Sequence, residues 1–150
     1  MSFKTFLFPT YYDKSPVYSV LLLVVRVFFG LLFLFHGYDK LMAHASMPPL
    51  FADPFGLGSI ISYWMVVFAE VVCSFALIFG ILHRIVLLPM IFTMCTAFFI
   101  VHGSDTFAVK ELSFIYLVVF VVLYITGPGL YSFDATIGRY FVDNGDSDWR

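Results

Sequence analysis

The chain has 150 residues, of which 61% are hydrophobic and 12% charged, and its formal net charge is −2. Soluble domains are nearer half apolar and a quarter charged, so this composition excludes a soluble globular protein and predicts an integral membrane protein. The nearly balanced charge provides no basic surface for nucleic acid, and the length fits one helical bundle without a separate soluble domain.

Four apolar segments follow one another along the chain. A bilayer core of about 30 Å is crossed by roughly 20 helical residues, which each segment can provide. The fourth has an apolar run of only 14 residues, 112–125, and we expect its helix to begin near Phe107. The predicted spans cover residues 17–42, 60–82, 84–102 and 107–126. The predicted fold is therefore all-α, an integral membrane antiparallel four-helix bundle that forms a single domain over residues 1–142.

The connections between these spans differ in length. Only His83 and Arg84 separate the second and third spans, which predicts tight antiparallel neighbours. Residues 43–59 are rich in proline, glycine and phenylalanine, and we expect a long outer loop that dips back onto the bundle. After Pro128 ends the fourth span, apolar residues at helical spacing predict a short C-terminal interfacial helix, and residues 143–150 form a polar tail.

The basic residues near the span ends predict the orientation. Most of them fall on the side that carries both termini, and basic residues concentrate in cytoplasmic segments. The residues of that side are Lys4, Lys14, Arg84 and Arg139, against Lys40 and Lys110 on the other. We therefore expect a protein of the bacterial cytoplasmic (inner) membrane with both termini in the cytoplasm.

Two charges interrupt the first two spans. Arg26 and Glu70 are opposite in sign, and counting residues from the inner side places them at depths that differ by about 5 Å. A charge inside the bilayer is costly and usually finds a partner within the bundle. The depths predict an Arg26–Glu70 pair. The alternative is that this pair is a structural clamp that fixes the register of two helices and binds nothing.

Further ionisable residues cluster toward the outer ends of the spans. Together with the pair they predict an outward-facing polar pocket, with Glu70 and Glu111 as the candidate catalytic residues that handle protons. The predicted ligand-binding residues are Arg26, His36, Lys40, Glu70, His102 and Glu111. The alternative for His36, Lys40 and His102 is that they are interfacial anchors without a ligand.

The cysteines and histidines do not form a metal motif. No pair of them has the H-x-x-x-H or C-x-x-C spacing of a metal site, so we predict no metal site. Cys73 and Cys95 lie near the middle of neighbouring spans, where a disulfide is geometrically conceivable. Buried free cysteines behave as small hydrophobic residues, and the pattern favours that role over a redox role.

The order of these elements resembles the DoxX family of small four-helix membrane proteins. The shared elements lie between Val17 and Arg139 and occur in the family's order and spacing. They are Arg26, the segment His36–Leu41, Glu70, the junction Phe79–Arg84, His102, Glu111 and the segment Gly127–Asp134. The resemblance implies a four-helix membrane bundle, and some relatives are subunits linked to quinone-dependent sulfur oxidation and other membrane redox complexes.

Two functions are favoured by these observations, and a transporter is a third that is less favoured because four spans are few unless the chain dimerises. The first is a redox-associated, quinone-linked subunit. Because the sequence has no flavin, haem or iron–sulfur motif and no covalently bound cofactor is expected, a membrane or periplasmic partner protein would bring the electron-carrying cofactor. The second is a non-catalytic membrane scaffold, assembly factor or accessory subunit whose buried charges are structural. The expected partners are the lipid bilayer, such a protein and a second copy of the chain, and the sequence does not decide whether the protein is an enzyme.

Overall fold

The computed structural model describes residues 16–44 and 51–143, and it describes side chains as far as residue 139. The predictions for Lys4 and Lys14 and for tail residues 144–150 lie outside these ranges. Five helices occur within them. They are α1 (Pro16–Met42), α2 (Ser59–Phe79), α3 (His83–Val101), α4 (Phe107–Thr126) and α5 (Phe133–Asp143).

Within the described part of the chain, α1 to α4 are the four helices long and apolar enough to cross a membrane. The predicted all-α fold is confirmed, and the protein is an integral membrane protein. We call the end with the α1–α2 loop the outer end and the opposite end the inner end, following the predicted orientation.

α2 ends three residues earlier than the sequence predicts. Gly80 adopts a left-handed backbone conformation with φ of 69°, and Leu82 also has a positive φ, 46°. Left-handed residues end helices because the helical hydrogen bonds cannot continue through them. A Cβ added at Gly80 would also lie 2.6 Å from the Ser132 side chain. Both the left-handed conformation and this close contact therefore favour glycine at this position. The chain therefore reverses within Gly80–Leu82 and starts α3 directly.

Glycines on α1 allow α2 to approach closely. A Cβ added to Gly30 would lie 2.7 Å from Ile78, and one added to Gly37 would lie 2.6 Å from Val71. These contacts fix the antiparallel register of the two helices, because Gly30 faces the inner part of α2 and Gly37 faces its middle. Small residues serve this purpose between membrane helices, where backbones gain by packing closely.

The core of the bundle is apolar and draws on all four spans, with α2 contributing through its inner segment. Phe33, Leu87, Met90 and Phe120 are almost fully buried there, and the ring of Phe33 packs edge-on against Phe120 at 5.0 Å. The outer part of α2 stands apart from this core, since its segment Ser59–Val67 packs on α1 whereas its segment Cys73–Phe79 packs on α3 as well. The helices thus diverge toward the outer end.

Candidate functional site

A cavity of about 840 Å³ occupies the space where the helices diverge. Small-molecule sites commonly have volumes of roughly 300–1,000 Å³ and mostly apolar walls. All four spans and the loop 51–58 contribute to its walls. The apolar lining residues include Phe33, Phe51, Phe55, Trp64, Met65, Phe68, Phe92, Met94 and Leu112. The cavity therefore suits a ligand that is largely apolar and flat or chain-like.

Lys40 and Glu70 form an ion pair in the wall of this cavity. The Lys40 Nζ donates to Glu70 Oε1 at 2.8 Å and to Oε2 at 2.7 Å. The Glu70 side chain is only 5% exposed and that of Lys40 is 22% exposed, so the pair is largely shielded. An ammonium group has three N–H donors, and the two carboxylate oxygens occupy at most two of them. A polar group of a ligand can therefore bind to Lys40 without breaking the pair.

Two features of the neighbouring backbone hold Lys40 opposite Glu70. Gly37 lets α1 approach α2 at this level, since a Cβ there would lie 2.9 Å from the Cβ of Glu70. The hydroxyl of Tyr63 donates a hydrogen bond of 2.6 Å to the carbonyl oxygen of Lys40 and so anchors the last turn of α1. The sequence pattern places Tyr63 on the same face of the span as Glu70, but it gives no reason to expect this bond.

Both α2 and α3 contain a π-helical turn beside the cavity. Glu70 lies within the turn Phe68–Val72 of α2, and the turn Ala97–Val101 ends α3. Ala97 and Val101 line the cavity. A π-helical turn accommodates an extra residue, is energetically unfavourable and occurs often at functional sites. In α2 the turn lies at the residue that carries the buried carboxylate.

Four of the six predicted ligand-binding residues line the cavity, namely His36, Lys40, Glu70 and His102. The ring of His36 packs edge-on against that of Tyr116 at 5.8 Å. Tyr116 is 3% exposed, also lines the cavity and adds a phenolic hydroxyl to its polar groups. Sequence reasoning missed Tyr116, because a single tyrosine in an apolar run gives no signal beyond its position in a span.

His102 lies at the outer rim rather than inside the cavity. Its Nδ1 is 2.8 Å from Oδ2 of Asp105, and the two side chains are 37% and 43% exposed. Glu111, which the sequence predicts to work with His102, is exposed and does not line the cavity. The sequence pattern puts both residues at the outer end, but the helical phase of α4 turns Ser113 and Tyr116 toward the cavity instead.

The predicted Arg26–Glu70 pair is wrong. Arg26 is 1% exposed and donates from its two terminal nitrogens to the carbonyl oxygens of Pro128, at 2.6 Å, and of Tyr131, at 2.8 Å. It therefore does not line the cavity, and it joins α1 to the turn that follows α4. Pro128 and Tyr131 lie in the turn between α4 and α5, and the buried guanidinium satisfies the carbonyl oxygen of each.

The register of α1 explains this error. α1 has 27 residues and is about 40 Å long, which exceeds the bilayer core by about 10 Å. Counting depth from the first apolar residue puts Arg26 inside the membrane. In the structure the Arg26 guanidinium lies beside Gly80, which follows the inner end of α2, whereas Lys40 lies at the same depth as Glu70. The positive charge that pairs with Glu70 therefore belongs to Lys40, fourteen residues after Arg26 in α1.

Asp134 completes the connections at the inner end. Its carboxylate accepts hydrogen bonds from the backbone N–H groups of Leu82, at 2.9 Å, and His83, at 2.8 Å, at the start of α3. It thus caps α3 from another part of the chain, as capping carboxylates do at helix N-termini. Burial raises the pKa of Asp134, and the two backbone hydrogen bonds and the charge of Arg26 oppose that rise.

Comparison with known families agrees with this architecture. The DoxX family model matches residues 21–103, which is more than half of the chain. The chain belongs to the DoxX family. Neither the curated proteins nor the solved structures include a match to this DoxX protein. The matched segment contains Lys40, Glu70 and His102 but ends before Tyr116 and Asp134.

Metal and thiol chemistry have little structural support in this DoxX protein. No group of three or more histidine, cysteine, aspartate or glutamate side chains converges among the described residues. Cys73 and Cys95 are both free thiols, the first buried and the second partly buried, and neither lines the cavity. The site therefore consists of a largely apolar cavity whose polar groups include the Lys40–Glu70 pair, His36 and Tyr116.

Proposed function

We propose that this DoxX protein binds an isoprenoid quinone in the cavity, as an accessory subunit of a membrane redox complex. The Lys40–Glu70 pair carries the proposal, because it places a hydrogen-bond donor and a carboxylate in the wall of an otherwise apolar cavity. A quinone combines a flat ring and an apolar tail with carbonyl oxygens that accept hydrogen bonds. Its chemistry matches both parts of the site.

The individual side chains supply distinct interactions. Lys40 offers an N–H group to a quinone carbonyl, and the Tyr116 hydroxyl offers a second donor from α4. Phe33, Phe68 and Phe92 provide ring faces for the quinone ring and the start of its tail. The apolar walls also exclude water, which strengthens each of these polar contacts.

Proton handling belongs to Glu70 in this proposal. A bound quinone supplies a couple that takes up two electrons and two protons, and a partner protein exchanges the electrons. Glu70 holds a proton-accepting carboxylate next to the Lys40 ammonium, so a proton can move between this pair and the quinone oxygen that Lys40 binds. His36, one helical turn before Lys40, also lines the cavity.

A second candidate function is a scaffold without a ligand. It is favoured by one observation, namely that Lys40 satisfies both oxygens of Glu70 while Arg26 binds two backbone carbonyls. Buried charges paired in this way can serve only to fix the arrangement of helices. In that case the protein would hold a partner subunit in the membrane, and the cavity would contain only lipid chains.

Extraction of the purified protein separates the two candidates. The protein is purified in mild detergent, extracted with organic solvent and analysed for quinones by mass spectrometry. We expect quinone in near-stoichiometric amount from the wild type and a loss of about tenfold from Lys40→Met, the loss that one hydrogen bond to a charged group would cause. Lys110→Met is the matched control, since Lys110 donates to the Gly103 carbonyl at the exposed outer end and does not line the cavity.

The outcomes differ clearly. Equal quinone content in the wild type and in Lys40→Met would show that any quinone is bound nonspecifically. A wild-type extract that contains no quinone, together with a partner protein that co-purifies in fixed ratio, would favour the scaffold.

A further inference from the structure

The cavity is open on the side that faces the bilayer. Several lining residues are also about half exposed, among them Ile61 at 55%, Phe68 at 51% and Phe92 at 51%. Ile61 and Phe68 belong to α2 and Phe92 to α3, so exposed parts of the wall lie on both sides of the gap between these helices. In a membrane, apolar groups exposed at this level contact lipid chains.

This gap results from the way α2 is packed. Its inner segment, Cys73–Phe79, packs on both α1 and α3, whereas its outer segment, Ser59–Val67, packs mainly on α1. Tyr63 strengthens the contact with α1 through its hydrogen bond to the Lys40 carbonyl. The two helices therefore meet at the inner end and separate toward the outer end, where the cavity lies.

A contact between two aromatic rings crosses the gap. The ring of Phe55, in the loop 51–58, stacks on the ring of Phe92 with centroids 5.7 Å apart and planes at 21°. Both rings line the cavity, and Phe55 is 49% exposed. A single stacked pair of this kind contributes only about 0.5–1.5 kcal/mol beyond burial, which is weak enough to open thermally.

The loop that carries Phe55 is anchored by Asp53 and borders open space at its glycines. The Asp53 carboxylate accepts hydrogen bonds from the N–H groups of Leu57 and Gly58 and from the Ser62 hydroxyl, which fastens the loop to the start of α2. Gly56 and Gly58 have φ of 71° and 99°, and neither would have a neighbour within 4 Å of an added Cβ. The Phe55 side chain, which is half exposed beside this open space, can therefore rotate away from Phe92 while Asp53 keeps the backbone of the loop in place.

We propose that the ligand enters and leaves from the bilayer, through the gap between α2 and α3, and that the Phe55–Phe92 contact is its gate. This inference rests on the proposed function and specifies the ligand further. A ligand that uses this route is dissolved in the membrane, and its long apolar tail remains in the gap while its polar ring reaches Lys40. A water-soluble ligand without a tail would have no need of this route.

Fluorescence of Trp64 can measure the exchange. The sequence has two tryptophans, Trp64 and Trp149, so Trp149→Phe leaves Trp64 in the cavity wall as the only reporter. The protein in liposomes is loaded with a decyl-substituted p-benzoquinone, which quenches indole fluorescence. Mixing with an excess of empty liposomes then gives the exit rate from the recovery of fluorescence. Lys40→Met in the same background gives the baseline for quenching that does not involve the site.

Phe55→Ala should raise the exit rate by about tenfold, because the substitution removes the contact that closes the gap. Phe92→Ala should act in the same direction and serves as a second test on the other side of the contact. Phe75→Ala is the matched control and should exchange at the wild-type rate, since Phe75 is also a half-exposed phenylalanine of α2 (51%) but does not line the cavity.

The inference and the proposed function fail in different ways. If quenching above the Lys40→Met baseline is present but Phe55→Ala and Phe92→Ala exchange like Phe75→Ala, the route is wrong and the quinone site stands. Faster exchange in His102→Ala alone would place the entrance at the outer rim and would also overturn the gate. If no quenching exceeds the baseline, both proposals are overturned.

Discussion

Lys40 and Glu70 join the last turn of α1 to a π-helical turn in the middle of α2, through two hydrogen bonds of 2.8 and 2.7 Å to one carboxylate. The pair has a structural effect and a chemical one. It offsets the cost of two charges within the membrane. It also places both charges in the wall of the cavity, where a ligand can reach them.

The coupling between these two residues can be measured with a double-mutant cycle. Lys40→Met or Glu70→Gln alone should lower the free energy of unfolding by about 3 kcal/mol, because each leaves one buried partner without its counterpart. The double variant should lose less than the sum of the single changes. Unfolding in mixed micelles, followed by Trp fluorescence, gives the four values, and strict additivity would show that the residues are not coupled.

Gly37 should be the most sensitive position of the α1–α2 interface. A Cβ at Gly37 would lie 2.9 Å from the Cβ of Glu70 and 3.0 Å from its carbonyl carbon. Gly37→Ala therefore has to move backbone, and overpacking of this kind costs about 1–3 kcal/mol. The coupling energy between Lys40 and Glu70 should fall in the same variant, since the helices must separate.

Gly30→Ala is the matched control for this prediction. A Cβ there would meet only the side chain of Ile78 within 3.5 Å, and the nearest backbone atom is 3.7 Å away. Because a side chain can rotate, the loss of stability should be smaller than in Gly37→Ala. An equal loss in both variants, with the Lys40–Glu70 coupling unchanged, would contradict the assignment of Gly37 to this contact.

Arg26 should hold the turn after α4 and the start of α5 in place. Arg26→Lys keeps the charge, but a single ammonium cannot reproduce the two separate N–H groups that reach Pro128 and Tyr131. We expect a loss of about 1–3 kcal/mol in stability and faster hydrogen exchange in residues 128–139. Arg139→Lys, at an exposed residue of α5, should leave both quantities unchanged.

The loop anchor should depend on pH through Asp53. Hydrogen bonds from the Ser62 hydroxyl and from the backbone of Gly58 and Leu57 lower the pKa of Asp53 from its ordinary value of 3.8. Because the pKa is lowered in the folded state, the hydrogen bonds of the Asp53 carboxylate stabilise the loop fully when the pH is above the ordinary pKa. This stabilisation is lost as the pH falls through the lowered pKa. NMR titration of the carboxyl carbon should show the lowered pKa, and Ser62→Ala should raise it. A pKa that Ser62→Ala does not change would contradict the anchor.

The sequence predicted the fold, and four of the six predicted ligand-binding residues line one cavity, but the partner of Glu70 was misassigned. Hydrophobic runs and the Gly-Pro-Gly stop predicted the all-α bundle, which the structure confirms. Helical spacing also grouped His36 with Lys40, which do line one cavity. The register of a long apolar helix is not contained in its own sequence, however, because packing on a neighbour sets it. The partner of Glu70 therefore depended on Gly37, and Lys40 takes the role that a simple depth count gives to Arg26.

Orientation in the membrane stays a prediction, and the structure changes the argument for it. Lys40 pairs with Glu70 inside the bundle, so it should not be counted among the basic residues of the outer loops. Of the two basic residues assigned to the outer side, Lys110 is then the one that contributes to the orientation bias. The predicted bias toward cytoplasmic termini therefore becomes stronger. In a Cys73→Ala, Cys95→Ala background, a membrane-impermeant thiol reagent added outside should label Ser104→Cys, between α3 and α4, and should label Ser147→Cys only after the membrane is permeabilised. Labelling of Ser147→Cys in intact cells, with Ser104→Cys protected, would reverse the orientation and place the cavity at the cytoplasmic side.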